Sequence, residues 1–242
     1  HKFQIPRLIF DGTSCFSVMC MHNIQISRIY ERVSESESFV VPGLPHRIEL
    51  TKAQLPPVFN PGSVLLKDQL QAIKDAELIA YGLIANTFEE LEPEYIRECR
   101  KVNRGKVWCI GPVSLYNKNN LDKSERGNKV SIDSIQCLKW LDSWPVSSVL
   151  YVCLGTLSCI KPHQLMELGL GLEASNRPFI WVMREGYKSD ELKKWISEER
   201  FGERTKGRSF LIWGWAPQVL ILSHPAIGGF LTHCGWNSTL EG

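Results

Sequence analysis

Most of the short patterns that mark phosphate and metal chemistry are missing from these 242 residues. There is no Gly-x-Gly-x-x-Gly and no P-loop, which argues against dinucleotide dehydrogenases and P-loop phosphotransferases. No Gly-x-Ser-x-Gly nucleophile elbow appears. No Asp-x-Asp pair exists to hold a divalent ion on a diphosphate, and His224, His233 and Cys234 lack zinc-site spacing. An excess of charge is missing too. With 28 basic and 26 acidic residues the net charge is +2, and the densest charged stretch, Lys188 to Arg208, mixes both signs. No nucleic-acid partner is therefore expected. Apolar runs break well before the ~18 residues that span a bilayer, so no stable membrane insertion is expected. The eight cysteines contain no Cys-x-x-Cys pair and several lie in apolar runs, as reduced, buried thiols of a cytoplasmic protein would. The opening His-Lys-Phe-Gln-Ile-Pro has no signal-peptide layout. Its first residue is not Met and Pro6 to Phe10 already reads as a strand, so the expectation is an internal piece of a longer protein.

What is present is an alternation of short apolar strands and helical patterns, in a chain that is 43% hydrophobic and 22% charged. In the first part, strands are expected at Arg7 to Phe10, Leu78 to Asn86 and Lys106 to Ile110. Helices are expected at Ser14 to Arg32, Leu65 to Ala76 and Glu90 to Val102. Ser34 to Pro61 reads as irregular, either a long loop over a cleft or a surface excursion. In the second part, Val149 to Leu154 is a continuous apolar run, as in a parallel strand buried on both faces. A helix opening at Pro162 follows, then strand Phe179 to Val182, helix Glu191 to Glu199, strand Phe210 to Trp213, a short helix after Pro217 and strand Ile227 to Thr232. Repeated βαβ units predict an α/β fold with right-handed, doubly wound parallel sheets. The polar stretch after Gly111-Pro112 shows no apolar periodicity and reads as a linker, residues 112–133, between domains at 1–111 and 134–242.

In open parallel sheets, ligands lie beyond the carboxyl ends of the strands, where helix N-termini offer unpaired amides. One such end is Gly155-Thr156, a close-approach glycine beside a hydroxyl, or simply a tight turn. At the other, strand Ile227 to Thr232 runs into His233-Cys234-Gly235, and Trp236-Asn237-Ser238 begins a helix. The amides of Gly235 to Ser238, the Ser238 hydroxyl and the His233 imidazole suit a diphosphate. The competing reading is as concrete: Ser238-Thr239-Leu240-Glu241 fits a capping box, Asn237 an N-cap, and His233 a core histidine. Upstream, Trp215-Ala216-Pro217-Gln218 sets an indole after a strand end with an amide three residues on. That arrangement fits a base platform with a ribose-binding group, or a core tryptophan beside proline. The co-occurrence of platform, helix start and carboxylate within one short segment favours a nucleotide diphosphate.

These residues also carry a resemblance. Trp215-Ala216-Pro217-Gln218, His224, Gly229-Phe230, Thr232-His233-Cys234-Gly235-Trp236-Asn237-Ser238 and Glu241 resemble the signature box of plant secondary-product UDP-glycosyltransferases, inverting enzymes of the two-Rossmann-domain GT-B class. Val41 to Pro45, Cys109 to Val113, Trp140 to Asp142, Tyr151 to Thr156 and Pro178 to Val182 follow in the family's order. The resemblance implies that Trp215 stacks on uracil while the Ala216 backbone reads its edge. Gln218 and Glu241 hold ribose hydroxyls; His233, Asn237, Ser238 and Thr156 hold the diphosphate; and Trp236 approaches the sugar through its backbone. It further implies a UDP-sugar donor, no cofactor and no metal, a small-molecule acceptor such as a flavonoid, coumarin or terpenoid, and a monomer. The family's catalytic histidine and its aspartate, and the sugar-contacting end of the box, match nothing here. No catalytic residue is therefore assigned, and the 242 residues alone are expected not to turn over. The alternatives are a non-catalytic nucleotide-sugar binding module and, sharing only the βαβ pattern, a nucleotide-dependent oxidoreductase.

Overall fold

The computed structural model describes residues 5–56, 59, 75–76, 79–116, 118–119, 130–155, 160–183 and 189–242. The chain divides into two compact units, His1–Val113 and Ser114–Gly242. That division falls inside the polar stretch 112–133. Most of the expected helix Leu65 to Ala76 and residues 120–129 of the linker lie outside the described residues.

In the first unit, β1 (Leu8–Asp11), β4 (Gly82–Ala85) and β5 (Val107–Cys109) form a parallel sheet in the order β1-β4-β5. Helices α1 (Cys15–Ser27) and α2 (Pro93–Val102) pack on one face of it. Cys15 and Met19 from α1, with Tyr95, Ile96 and Cys99 from α2, close over Leu83, Ala85 and Val107. Pro93 opens α2 where its missing N–H is harmless, and Arg100 and Lys101 sit in the last turn beside the negative end of the helix dipole.

The first four amides of α1 all find acceptors. Ser14 Oγ accepts from the Ser17 amide at 3.0 Å, and the Ser14 carbonyl accepts from Val18 at 3.1 Å. The two remaining amides, of Cys15 and Phe16, both donate to the carboxylate of Glu92, each at 2.8 Å. Glu92 is only 7% exposed, so its charge is tolerated because a helix N-terminus faces it.

The stretch Ser34 to Pro61 is not irregular throughout. It holds an antiparallel hairpin of β2 (Ser38–Val40) and β3 (Glu49–Thr51), which buries Phe39 and Val41 against Ile24, Leu55 and Phe59. Three-residue strands are too short for a period of two to register above the surrounding Ser, Glu and Pro.

The second unit is one four-stranded parallel sheet in the order β8-β7-β6-β9, from β6 (Val149–Cys153), β7 (Phe179–Met183), β8 (Ser209–Trp213) and β9 (Ile227–Thr232). Helices cover both faces. On one, Leu165, Leu168 and Leu172 of α4 (Pro162–Ala174), Leu192 and Trp195 of α5 (Ser189–Glu198) and Phe201 of α6 (Phe201–Arg204) pack on Val152, Phe179 and Trp181. On the other, Cys137 and Leu141 of α3 (Ser134–Asp142) and Ile221 of α7 (Gln218–Leu222) pack on Val149, Tyr151, Ile180 and Ile212. Helix α3 went unread in the sequence, although its signal is there. Asp133 caps it by accepting from the Ile135 amide at 2.8 Å, and Cys137 and Leu141 recur at helical spacing.

A fork-to-fork pair joins α4 to α6, with Arg204 Nε on Glu173 Oε1 at 2.8 Å and Nη2 on Oε2 at 2.9 Å. The hydrogen bonds from Arg204 hold the Glu173 carboxyl below its ordinary range.

Two predictions follow from these polar anchors. Glu92→Ala strands two amides at the start of α1 and should destabilise the chain by about 2–3 kcal/mol in urea unfolding. For Glu173, the folded-state pKa is depressed, so its contribution is present above the ordinary carboxylate pKa and lost as pH falls. The stability difference between wild type and Glu173→Gln should therefore be full above pH about 5 and fade below pH about 4.

Candidate functional site

The strand order of the second unit contains a reversal. The chain builds outward from β6 to β7 to β8, then returns to place β9 on the other side of β6. The carboxyl ends of β6 and β9 are therefore neighbours, with Cys153 and Thr232 the last residues in register. This is the switch point at which open parallel sheets leave a crevice for a ligand.

The two strand ends read from the sequence meet here. Gly155, just past β6, has φ +73°, and a Cβ there would overlap the His233 imidazole. A Cβ on Gly235 would overlap the same ring. The imidazole of His233 thus lies across two glycines, one from each strand end, and spans the crevice mouth. Cys234 between them takes a left-handed φ of 57°, which turns the chain into α8 (Trp236–Glu241). Thr156 lies outside the described residues.

Helix α8 settles the competing capping reading. Its N-cap is Gly235, with no side-chain cap, so Ser238 is the third helical residue and not the cap, and Asn237 is the second. Glu241 is on the last turn, too far along the helix to close a box at its start. Its Oε2 accepts instead from Gln218 Nε2 at 2.8 Å, and the same Nε2 lies 3.4 Å from Ser238 Oγ. Gln218 begins α7, so the amide, hydroxyl and carboxylate expected at the ribose and diphosphate are brought together from two helices. The side chains of His233 and Asn237 are exposed, those of Trp215, Trp236, Gln218 and Glu241 half-buried, and Ala216 and Ser238 buried.

Trp215 follows β8 across Gly214, whose φ is +100°. Its backbone is held at both ends by Ser131: the Trp215 amide donates to Ser131 Oγ at 2.8 Å, and the Ser131 amide donates to the Trp215 carbonyl at 2.9 Å. Nothing in the sequence pointed to Ser131, because its partner is 84 positions away. Tyr151 was missed for another reason. It lies inside an apolar strand and reads as core, yet its hydroxyl is 3.4 Å from Gln218 Oε1.

His224 stands apart from the site. It precedes β9, at the amino end of that strand, where its Nδ1 accepts from the Ala226 amide at 3.2 Å and its Nε2 lies 3.2 Å from Asp142 Oδ1. Both ring nitrogens are engaged in local structure, so this His–Asp pair braces the sheet edge. Among the described residues, no group of three or more His, Cys, Asp or Glu side chains is arranged to hold a metal ion. No helix among them is long and apolar enough to cross a membrane.

A parallel sheet with helices on both faces, and a polar cluster at its switch point, belongs to the doubly wound nucleotide-binding class. Comparison with known proteins narrows that class. Residues 134–242 match the family model described as UDP-glucoronosyl and UDP-glucosyl transferase. The whole chain is 56% identical to 49% of UDP-glycosyltransferase 73C7 of Arabidopsis thaliana. Among solved structures, Glycyrrhiza uralensis UGT73P12, complexed with glycyrrhetinic acid 3-O-monoglucuronide, superposes on 99% of the chain with a TM-score of 0.87 and 38% identity, over 48% of its own length. Phytolacca americana UGT2, complexed with UDP-2fluoro-glucose and pterostilbene, covers 98% of the chain with a TM-score of 0.72 and 32% identity, over 50% of its own length. The chain belongs to the plant UDP-glycosyltransferases, and its fold is of their GT-B type. It spans about half the length of the curated relatives it matches.

The glycine under His233 is the sharpest test of this arrangement. Gly155→Ala imposes a left-handed conformation on a residue with a Cβ, at about 1–2 kcal/mol, and pushes the imidazole from its seat. A thermal melt should show that loss, and nucleotide affinity should fall with it; an unchanged affinity would mean that His233 takes no part.

Proposed function

We propose that the chain supplies the later part of an acceptor-binding domain, residues 1–111, a linker, 112–133, and the first part of a UDP-sugar-binding domain, 134–242. The reaction is inverting transfer of a sugar, most often glucose, from a UDP-sugar to a hydroxyl of a small plant metabolite such as a flavonoid, coumarin or terpenoid. The observation that carries this reading is the convergence of Gln218 with Ser238 and Glu241 on the helix that follows β9, together with the His233 ring seated over Gly155 and Gly235 at the switch point.

In this reading Trp215 offers its indole face to uracil and the Ala216 backbone reads the base edge. Gln218 and Glu241 take ribose hydroxyls. Thr156, His233, Asn237, Ser238 and the amides from Gly235 onward take the diphosphate, and the backbone of Trp236 borders the sugar. As the glycosidic bond to UDP breaks, negative charge grows on the β-phosphate. Groups already aimed at it lower the barrier because they need no reorganisation, and here they act without a metal ion. The acceptor hydroxyl is deprotonated by a general base outside the residues assigned. The free cysteines, Cys15, Cys20, Cys99, Cys109, Cys137, Cys153 and Cys234, fit a reducing, cytoplasmic setting, and a monomer completes the proposal.

Titration calorimetry of the chain with UDP tests the donor half. Binding should survive EDTA, and Trp215→Ala and Glu241→Ala should each weaken it about tenfold, the loss of one stacked base or one charged hydrogen-bond acceptor. A folded chain that ignores UDP, or prefers NADPH to it, overturns the proposal.

A further inference from the structure

The ribose end of the proposed donor site rests on an amide gripped at both ends. A carboxylate only accepts, so the 2.8 Å contact with Glu241 fixes Gln218 Nε2 on that side and turns Oε1 toward Tyr151. An amide oxygen cannot donate, so the phenol must. Tyr151 is 0% exposed, and burial holds its pKa well above the ordinary range, which keeps the hydroxyl protonated.

Tyr151 is also the more rigid partner. It stands mid-strand in β6, in register with Ile180 and Phe230, and its ring packs 5.2 Å from that of Phe230. Gln218, by contrast, opens a five-residue helix that has no side-chain cap. A phenylalanine would fill the apolar slot equally well, and a buried hydroxyl with no partner would cost about 1–3 kcal/mol. Its oxygen has two polar neighbours, the Gln218 amide oxygen and the Cys153 side chain two residues along β6.

We propose that Tyr151 is a positioning residue: its hydroxyl holds the Gln218 amide in the one orientation that presents Nε2, together with the Glu241 carboxylate, to the ribose hydroxyls of the nucleotide. The inference rests on the UDP-binding reading above. It concerns discrimination at the ribose more than the overall strength of binding.

Calorimetry with UDP and 2′-deoxy-UDP on wild type, Tyr151→Phe, Gln218→Ala and the double variant tests it, with thermal melts to confirm folding. Tyr151→Phe should weaken UDP about three- to tenfold, one neutral hydrogen bond's worth, and 2′-deoxy-UDP much less, so the preference for the ribonucleotide shrinks. In the Gln218→Ala background the same change should add nothing, because the tyrosine acts only through the amide. Equal weakening of both nucleotides, or additive losses in the double variant, means that Tyr151 only packs, and the proposal falls. Should Tyr151→Phe not fold, 4-aminophenylalanine at 151 restores a donor at the same place; retained ribose preference supports the proposal and its loss overturns it. A wild-type chain that is folded and does not bind UDP sinks the donor-site reading itself, a failure visible before any variant is made.

Discussion

Parallel pairing of β6 with β7 on one side and β9 on the other is the constraint from which the rest of the second unit follows. Because β6 is central, its residues face helices on both sides, which is why Val149 to Leu154 is a continuous apolar run with no alternation. Because β9 joins on the side opposite β7, two strand ends separated by about eighty positions in sequence open at the same point. The imidazole of His233 can then lie over Gly155 and Gly235 together. If β9 had paired beyond β8, the same residues would sit at a sheet edge, far from the end of β6.

Within both cores, polar atoms occur where a distant group requires them. Glu92 lies 77 and 76 positions from the amides it accepts at the start of α1, and Tyr151 lies 67 positions from Gln218. Each is buried at a position that apolar packing alone would give to a leucine or a phenylalanine. Leaving either partner unsatisfied in a low-dielectric interior costs more than the bond returns when it forms. Such residues therefore record tertiary neighbours, whereas the surrounding leucines and valines record only which face is buried.

This difference explains what could be read from the sequence. Strands β6 to β9 and helices α4, α5 and α7 were legible because hydrophobic period and Pro or Asn boundaries are local signals; Ile227 to Thr232 has the bounds expected of it. The hairpin at Ser38 and Glu49 was not, since three residues cannot display a period. The components of the candidate site were legible as types: an indole, an amide, an imidazole and a carboxylate in one segment. Ser131 and Tyr151 were not: Ser131 stands far from that segment in sequence, and Tyr151, though part of a stretch in the family's order, reads as core inside an apolar strand.

Spacing alone also left Glu241 divided between closing a capping box and reading a ligand. The helix boundary removes the first of these. With Gly235 at the N-cap, the carboxylate emerges more than a turn beyond the helix start, where it meets the amide of Gln218. A vicinal diol presents two hydroxyls, each able to donate and to accept. An amide nitrogen beside a carboxylate oxygen offers one donor and one acceptor side by side. A capping glutamate would have given its oxygens to backbone amides and left nothing for a diol. In the proposed donor site, the pairing of Gln218 with Glu241 is thus more than a stabilising contact between two short helices: it is the arrangement that would take a ribose as its third partner.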